Sequence, residues 1–226
     1  MLRREFTRSA LQASALAAAA AWLPAAQAQG KPPAEGVDYL RLDKPASTES
    51  APGKIEVVEF FWYSCPHCNA FEPLLEAWLE KLPRQVSFRR VPVLFRPSFE
   101  PQQRLFYALE AMGKLPALHK KVFNAIHNEK LTLDTAEQIT AWVAGQGVDK
   151  AKFTEQFNSF PVVTKVRRAA QLQDQYKVDG VPALGVGGRY FTSGSLAGSM
   201  PRALQVVDHL VAQLSKGTKG AKGAKG

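Results

Sequence analysis

The only two cysteines of the chain stand three residues apart, in Cys65-Pro66-His67-Cys68, directly after the apolar run Val57-Val58-Glu59-Phe60-Phe61-Trp62. That arrangement constrains the local fold tightly. The run is rich in β-branched and aromatic residues and predicts a buried strand over Ile55 to Trp62. Pro66 suits the first position of a helix, where its missing N–H is not needed and its fixed φ matches helix entry. Cys65 then falls at the N-cap. As a thiolate it accepts the free N–H groups of the first turn, and the helix dipole favours its charge. His67 adds a polar or cationic neighbour, and together these effects lower a thiol pKa from its usual value of about 8.5. Cys65 is the expected nucleophile. Cys68, one turn into the helix, is expected to be more buried and less acidic, yet close enough to form a disulfide with Cys65.

As a structural staple this pair is poor. A bridge that closes so short a loop removes little entropy from the unfolded chain. A stabilised Cys65 thiolate, in contrast, favours the dithiol and makes the disulfide oxidising. A structural disulfide or a metal pair remains an alternative. Zinc needs more ligands, and His119, His127 and His209 lie in predicted helices without a matching ligand spacing, so each reads as a surface or core histidine.

The amino terminus sets the compartment. Met1 to Arg8 is basic, Ala10 to Leu23 is apolar and rich in small residues, and Ala26-Gln27-Ala28 is an A-x-A cleavage site. Residues 1–28 therefore read as a secretory signal peptide. Arg3-Arg4-Glu5-Phe6 half-matches a twin-arginine signal, so two export routes stay open. The expected destination lies outside the cytoplasm, in the periplasm.

The formal charge of +9 is concentrated at the ends. The leader carries +2 and Lys216, Lys219, Lys222 and Lys225 carry +4, which leaves +3 on the body. Nucleic-acid binding is weakly motivated, because no clustered basic groove is implied. Residues 216–226 repeat Lys-Gly and are expected to form a disordered tail.

Between these ends the pattern reads β-α-β, then helices, then β-β-α. Tyr39 to Leu42 is a possible short strand, Pro66 to about Leu82 a helix, and Val86 to Val91 an alternating strand. From Pro92 to about Gly180 apolar periodicity recurs at 105–112, 118–126, 136–143, 153–157 and 162–176, with Gly113, Gly145 and Gly147 as stops and Asp134 and Asp149 as N-caps. Such a stretch exceeds a connection and predicts a helical subdomain with its own small core. Phe106, Trp142, Phe153 and Phe157 are its expected core aromatics. Val181 to Val186 and Arg189 to Thr192 then form a hairpin about Gly187-Gly188, and Ser199 to Leu214 an amphipathic closing helix.

Glu59-Phe60-Phe61-Trp62-Tyr63-Ser64-Cys65-Pro66-His67-Cys68 and Gly180-Val181-Pro182-Ala183 resemble the DsbA family of periplasmic thiol:disulfide oxidoreductases, and the element order agrees from about Tyr39 to Leu214. The resemblance implies an α/β thioredoxin fold, with residues 29–92 and 180–215 as the thioredoxin-like domain and 93–179 as a helical insertion. It also implies oxidation of newly exported, unfolded polypeptides bearing free thiols, with reoxidation by a quinone-linked membrane partner of the DsbB type. No cofactor is implied, and a monomer is the simplest assembly. By position, Cys65 is the attacking sulfur, Cys68 the resolving one, and Pro66 and His67 tune them. Val181-Pro182 corresponds to a cis-proline loop that docks substrate backbone, and Glu59 to a buried acid near the resolving cysteine. Ser64 stands where many relatives have glycine.

Independently of the resemblance, proline is awkward in a central strand, so Pro182 requires an edge, a bulge or a cis turn. An ionised Glu59 in an apolar strand is costly, which favours a raised pKa and proton exchange with Cys68 over a paired structural acid. Trp62 and Tyr63 belong either to the core or to the edge of a peptide groove. A thiol reductant or disulfide isomerase, a peptide-binding chaperone on the same fold and a metal carrier are the competing functions.

Overall fold

The computed structural model describes residues 31–223, with side chains to residue 216; the leader and the last three residues lie outside that range. Five strands form one mixed sheet, β1 (Leu40–Arg41), β2 (Ile55–Phe61), β3 (Val86–Pro92), β4 (Ala183–Val186) and β5 (Tyr190–Ser193), in the order β1-β5-β4-β2-β3. β2 is buried along its whole length, its apolar residues interrupted by Glu56 and Glu59, which are buried with them. It pairs in parallel with β3, from Ile55 opposite Val86 to Phe61 opposite Pro92. On its other side β2 runs antiparallel to β4, with Phe60 opposite Ala183. The parallel pair is joined by helix α1 (Pro66–Leu79).

The alternation of β2 divides the interior. Ile55 and Val57 face a cluster made with Phe71 and Leu75 of α1 and with Ala203, Leu204, Val207 and Leu210 of the closing helix α8 (Met200–Gly223). Val58 and Phe60 face the opposite way. There they meet five helices inserted between β3 and β4: α2 (Glu100–Ala111), α3 (Leu115–His127), α4 (Ala136–Gly145), α5 (Lys150–Phe157) and α6 (Phe160–Gln175). A short 3-10 turn over Pro97–Phe99 precedes them, and α7 (Gly194–Ala197) separates β5 from α8; neither has an apolar period that sequence can show.

The insertion does not have a separate core. Phe106, Leu109, Phe123, Ile139, Val143, Phe153 and Tyr176 form one continuous cluster with Val58, Phe60, Phe61 and both cysteines. The reason is Phe61, whose ring lies 5.1 Å from Tyr63, 5.4 Å from Phe106 and 5.5 Å from His119, edge-on in each case. Trp142 packs only partly buried against this cluster rather than within it.

Boundaries follow local chemistry. α1 stops at Leu79 rather than Leu82, because Lys81 and Leu82 bond back to the carbonyls of Trp78 and Leu79 in tight turns and Pro83 disfavours a helical residue before it. Asp149 caps α5 by accepting from the Lys152 N–H, but α4 is capped by Thr135 and not Asp134. Thr135 and Gln138 form a reciprocal capping box that Asp134 lacks. Gly187 and Gly188 turn the β4–β5 hairpin with φ of 59° and 66°, the left-handed pair a two-residue turn demands. Gly185 serves a different purpose: a Cβ there would fall 2.4 Å from the Tyr176 ring, which packs on β4 and accepts the Gly188 N–H through its hydroxyl. The backbone of α8 runs past Leu214 to Gly223, so the lysine-glycine stretch from 216 continues the helix where the composition predicts disorder.

Candidate active site

The end of β2, the turn Trp62–Ser64 and the first turn of α1 deliver the two cysteines. Cys65 is the N-cap, with extended backbone (φ −81°, ψ 116°), and Pro66 occupies the first helical position. The Cys68 N–H donates to Cys65 Sγ at 3.4 Å. Both cysteines are free thiols. Hydrogen bonding from the Cys68 side chain, helped by the N–H groups of Cys68 and His67 and by the charge of His67, outweighs burial and brings the Cys65 thiol down to about 6. Cys68 itself is the leading influence, and His67, exposed on the first turn, is a secondary one. Cys68 has no exposed surface, and burial pushes its thiol far above the usual range. One acidic sulfur on a residue 7% exposed and one sulfur with no exposure form the asymmetric pair that directional thiol exchange requires.

Opposite the motif, the Val181–Pro182 peptide is cis and precedes β4, which begins at Ala183 rather than Val181. Pro182 thus avoids the strand ladder. The Val181 carbonyl accepts from Cys65 Sγ at 3.4 Å. A cavity of about 510 Å³ opens beside the two, lined by His67, Gly180, Val181, Pro182, Ser195 and Met200.

Glu59 is fully buried in β2. Its Oε2 lies 3.0 Å from Arg90 Nε on the neighbouring strand, yet neither carboxylate oxygen accepts an aligned hydrogen bond among the described residues. Burial drives its pKa up to about 8, against the pull of Arg90 and with the help of Glu72. Its charge in turn acts on Cys68.

The partners of Glu59 escape a reading of the sequence. Arg90 joins three acids: besides Glu59, its Nη2 donates to Glu72 at 3.1 Å and to Glu76 at 3.0 Å. Lys120 closes on Glu76 at 3.1 Å. His119 is buried, with Nε2 3.4 Å from Glu72 Oε1 and Nδ1 2.8 Å from the Tyr63 hydroxyl. Burial lowers its pKa, so the ring is neutral. The facing carboxylate places the proton on Nε2, and Nδ1 accepts from Tyr63. The available signal was Glu72, an acid four residues after Cys68 on the buried face of α1. Tyr63 is core, while half-buried Trp62 stacks on Phe99 at 3.9 Å. His209 is exposed on α8.

A thioredoxin-type sheet whose central strand feeds a helix-capping cysteine of a C-x-x-C pair, beside a cis-proline loop, defines the thiol:disulfide oxidoreductases. Comparison narrows the class. The family model described as a DSBA-like thioredoxin domain matches residues 56–201. The thiol:disulfide interchange protein DsbA of Bordetella parapertussis is 47% identical over 212 residues, covering 93% of this chain and 98% of the relative. That of Burkholderia cepacia is 44% identical over 189 residues, covering 84% and 89%. The crystal structure of Pseudomonas aeruginosa DsbA superposes with a TM-score of 0.78 at 41% identity, covering 82% of this chain and 96% of that one. The chain belongs to the DsbA family and is a disulfide-forming oxidoreductase with substrate proteins as its partners.

Proposed function

We propose that the protein oxidises newly exported, unfolded polypeptides in the periplasm through a mixed disulfide at Cys65. The asymmetry of the two thiols carries this reading. A substrate thiolate attacks Cys65 Sγ of the enzyme disulfide, the Cys65–Cys68 bond breaks, and Cys68 leaves with the electron pair. So basic a thiolate must be protonated as it leaves, and Glu59, which holds a proton near neutrality, is the acid at hand. A second substrate thiolate then attacks the substrate sulfur of the mixed disulfide and expels Cys65 as a stable thiolate. Two electrons pass to the enzyme, and the substrate keeps the disulfide.

Val181 and Pro182 present backbone beside Cys65, a surface on which an extended peptide is held without regard to its side chains. Pro66 and His67 shape the helix entry. A DsbB-type quinone-linked membrane oxidase accepts the two electrons, and the protein acts as a monomer. Among the described residues no helix is long and apolar enough to cross a membrane, which fits a separate membrane partner. The export signal at residues 1–28 is the sequence basis for the compartment.

Trapping tests the reading. With Cys68→Ala, a thiol-bearing unfolded peptide activated as a mixed disulfide should accumulate on Cys65; with Cys65→Ala no adduct should form on Cys68. Adducts at Cys68, or none with either variant, contradict it.

A further inference from the structure

We propose that His127, seconded by Gln102, is a positioning residue that tunes the reactivity of Cys65 from the helical insertion. The turn that carries the chain from β2 into α1 consists of Trp62, Tyr63 and Ser64, and the insertion holds each of them. The Tyr63 carbonyl lies 2.8 Å from His127 Nε2. A carbonyl only accepts, so this nitrogen bears the proton and donates. Gln102 Nε2 donates to Ser64 Oγ at 2.7 Å, while Trp62 lies flat on Phe99. The Tyr63 hydroxyl is engaged by His119. The remaining bond, from the Cys65 N–H to the Trp62 carbonyl at 3.0 Å, closes the turn on itself.

His127 is the member of this set best suited to set the position of the sulfur. It sits at the last residue of α3, and its ring stacks on Phe123 at 6.0 Å with an interplanar angle of 26°. Phe123 is buried and also meets the rings of Phe61 and Tyr63. The donor is therefore fixed by packing rather than by a flexible stem. It grips the backbone two residues before Cys65, where a small rotation of the peptide displaces Sγ from the Cys68 N–H and from the Val181 carbonyl, each 3.4 Å away. The Cys68 side chain and the N–H groups of Cys68 and His67, rather than any contact of His127 with the sulfur, lower the thiol pKa, whereas the Val181 carbonyl accepts from the neutral thiol. His127 thus acts at a distance: the insertion keeps the N-cap in the conformation that stabilises the thiolate.

The inference rests on Cys65 being the acidic thiol of the pair, and the experiment separates the two. The Cys65 thiolate is titrated by its ultraviolet absorbance in the reduced full-length chain, and the dithiol–disulfide equilibrium with glutathione is measured in parallel, for the parent, His127→Phe and His127→Gln. A parent without a low-pKa thiol sinks the reading of the site itself. Given an acidic parent thiol, His127→Phe keeps the stacking and loses the donor. Its Cys65 pKa should rise by about half a unit to one unit, with the glutathione equilibrium moving about three- to tenfold towards the enzyme disulfide, the size of one net hydrogen bond. His127→Gln retains a donor and should stay within about twofold of the parent on the same scale. An acidic parent with an unchanged His127→Phe overturns the inference, whatever happens to its melting temperature. Should His127→Phe not fold, Ser64→Ala removes the Gln102 bond at a half-buried site. It should shift the same equilibrium about two- to threefold in the same direction, and no shift overturns the inference equally.

Discussion

Cys65 Sγ and the carbonyl oxygen of Val181 stand 3.4 Å apart, although 116 residues of chain separate them. The helical insertion is spliced between the two halves of the site, and the sheet order, with β2 and β4 adjacent, brings the halves together. The cis Val181–Pro182 loop therefore flanks the Cys65 sulfur.

The depressed pKa of Cys65 makes the stability of the reduced protein depend on pH. Its folded value of about 6 lies below that of an unfolded thiol, so the thiolate contributes stability that is fully present above about pH 8.5 and is lost as the pH falls towards 6. Relative to the disulfide form, the reduced form should gain about 1–2 kcal/mol between pH 5 and pH 8, allowing for solvent screening. Urea denaturation of both redox forms from pH 5 to 9 checks this; a gap that is constant with pH contradicts it.

Glu59 has the opposite sign. Its pKa is raised to about 8, so its burial costs stability increasingly as the pH rises from the ordinary carboxylate range to 8. Glu59→Gln should stabilise the fold by about 1–3 kcal/mol at pH 7 and by little at pH 4.5. The same variant should slow release of Cys68 from the disulfide by about ten- to a hundredfold, seen in stopped-flow reduction by a thiol peptide.

Removing Arg90 leaves Glu59, Glu72 and Glu76 facing one another without the cation that joins them. Arg90→Leu should cost about 3–5 kcal/mol at pH 7. Urea denaturation at pH 7 checks this; a loss below about 1 kcal/mol would show that the cation is not what holds the cluster together.

Gly185→Ala tests the packing of the insertion on the sheet. The added methyl meets the ring of Tyr176, itself buried and bonded to Gly188, and should cost about 1–3 kcal/mol in chemical denaturation. Tyr176→Leu should reduce the penalty of the glycine change, because it opens that space.

The strands, α1, the hairpin and the cysteine pair were legible because each rests on local signals: the apolar run of β2, proline after Cys65, the glycine pair after Val186. Glu59 and Pro182 were visible as misfits, an acid and a proline where a strand wants neither. Arg90, Glu72 and His119 were not, since each is an ordinary residue in an ordinary helix or strand until tertiary packing buries them together. His127 was equally hidden, because its partner is a backbone carbonyl, which leaves no trace in sequence. The supposed separate core of the insertion failed for the same reason: periodicity shows that a helix face is apolar but not what it covers.

The reduction potential of the Cys65–Cys68 disulfide, measured by equilibration with glutathione at pH 7, tests the central claim most directly. A stabilised Cys65 thiolate requires a disulfide more oxidising than the glutathione couple, less negative than about −200 mV. A value near that of thioredoxin, about −270 mV, would contradict it, because a disulfide that stable is not readily donated.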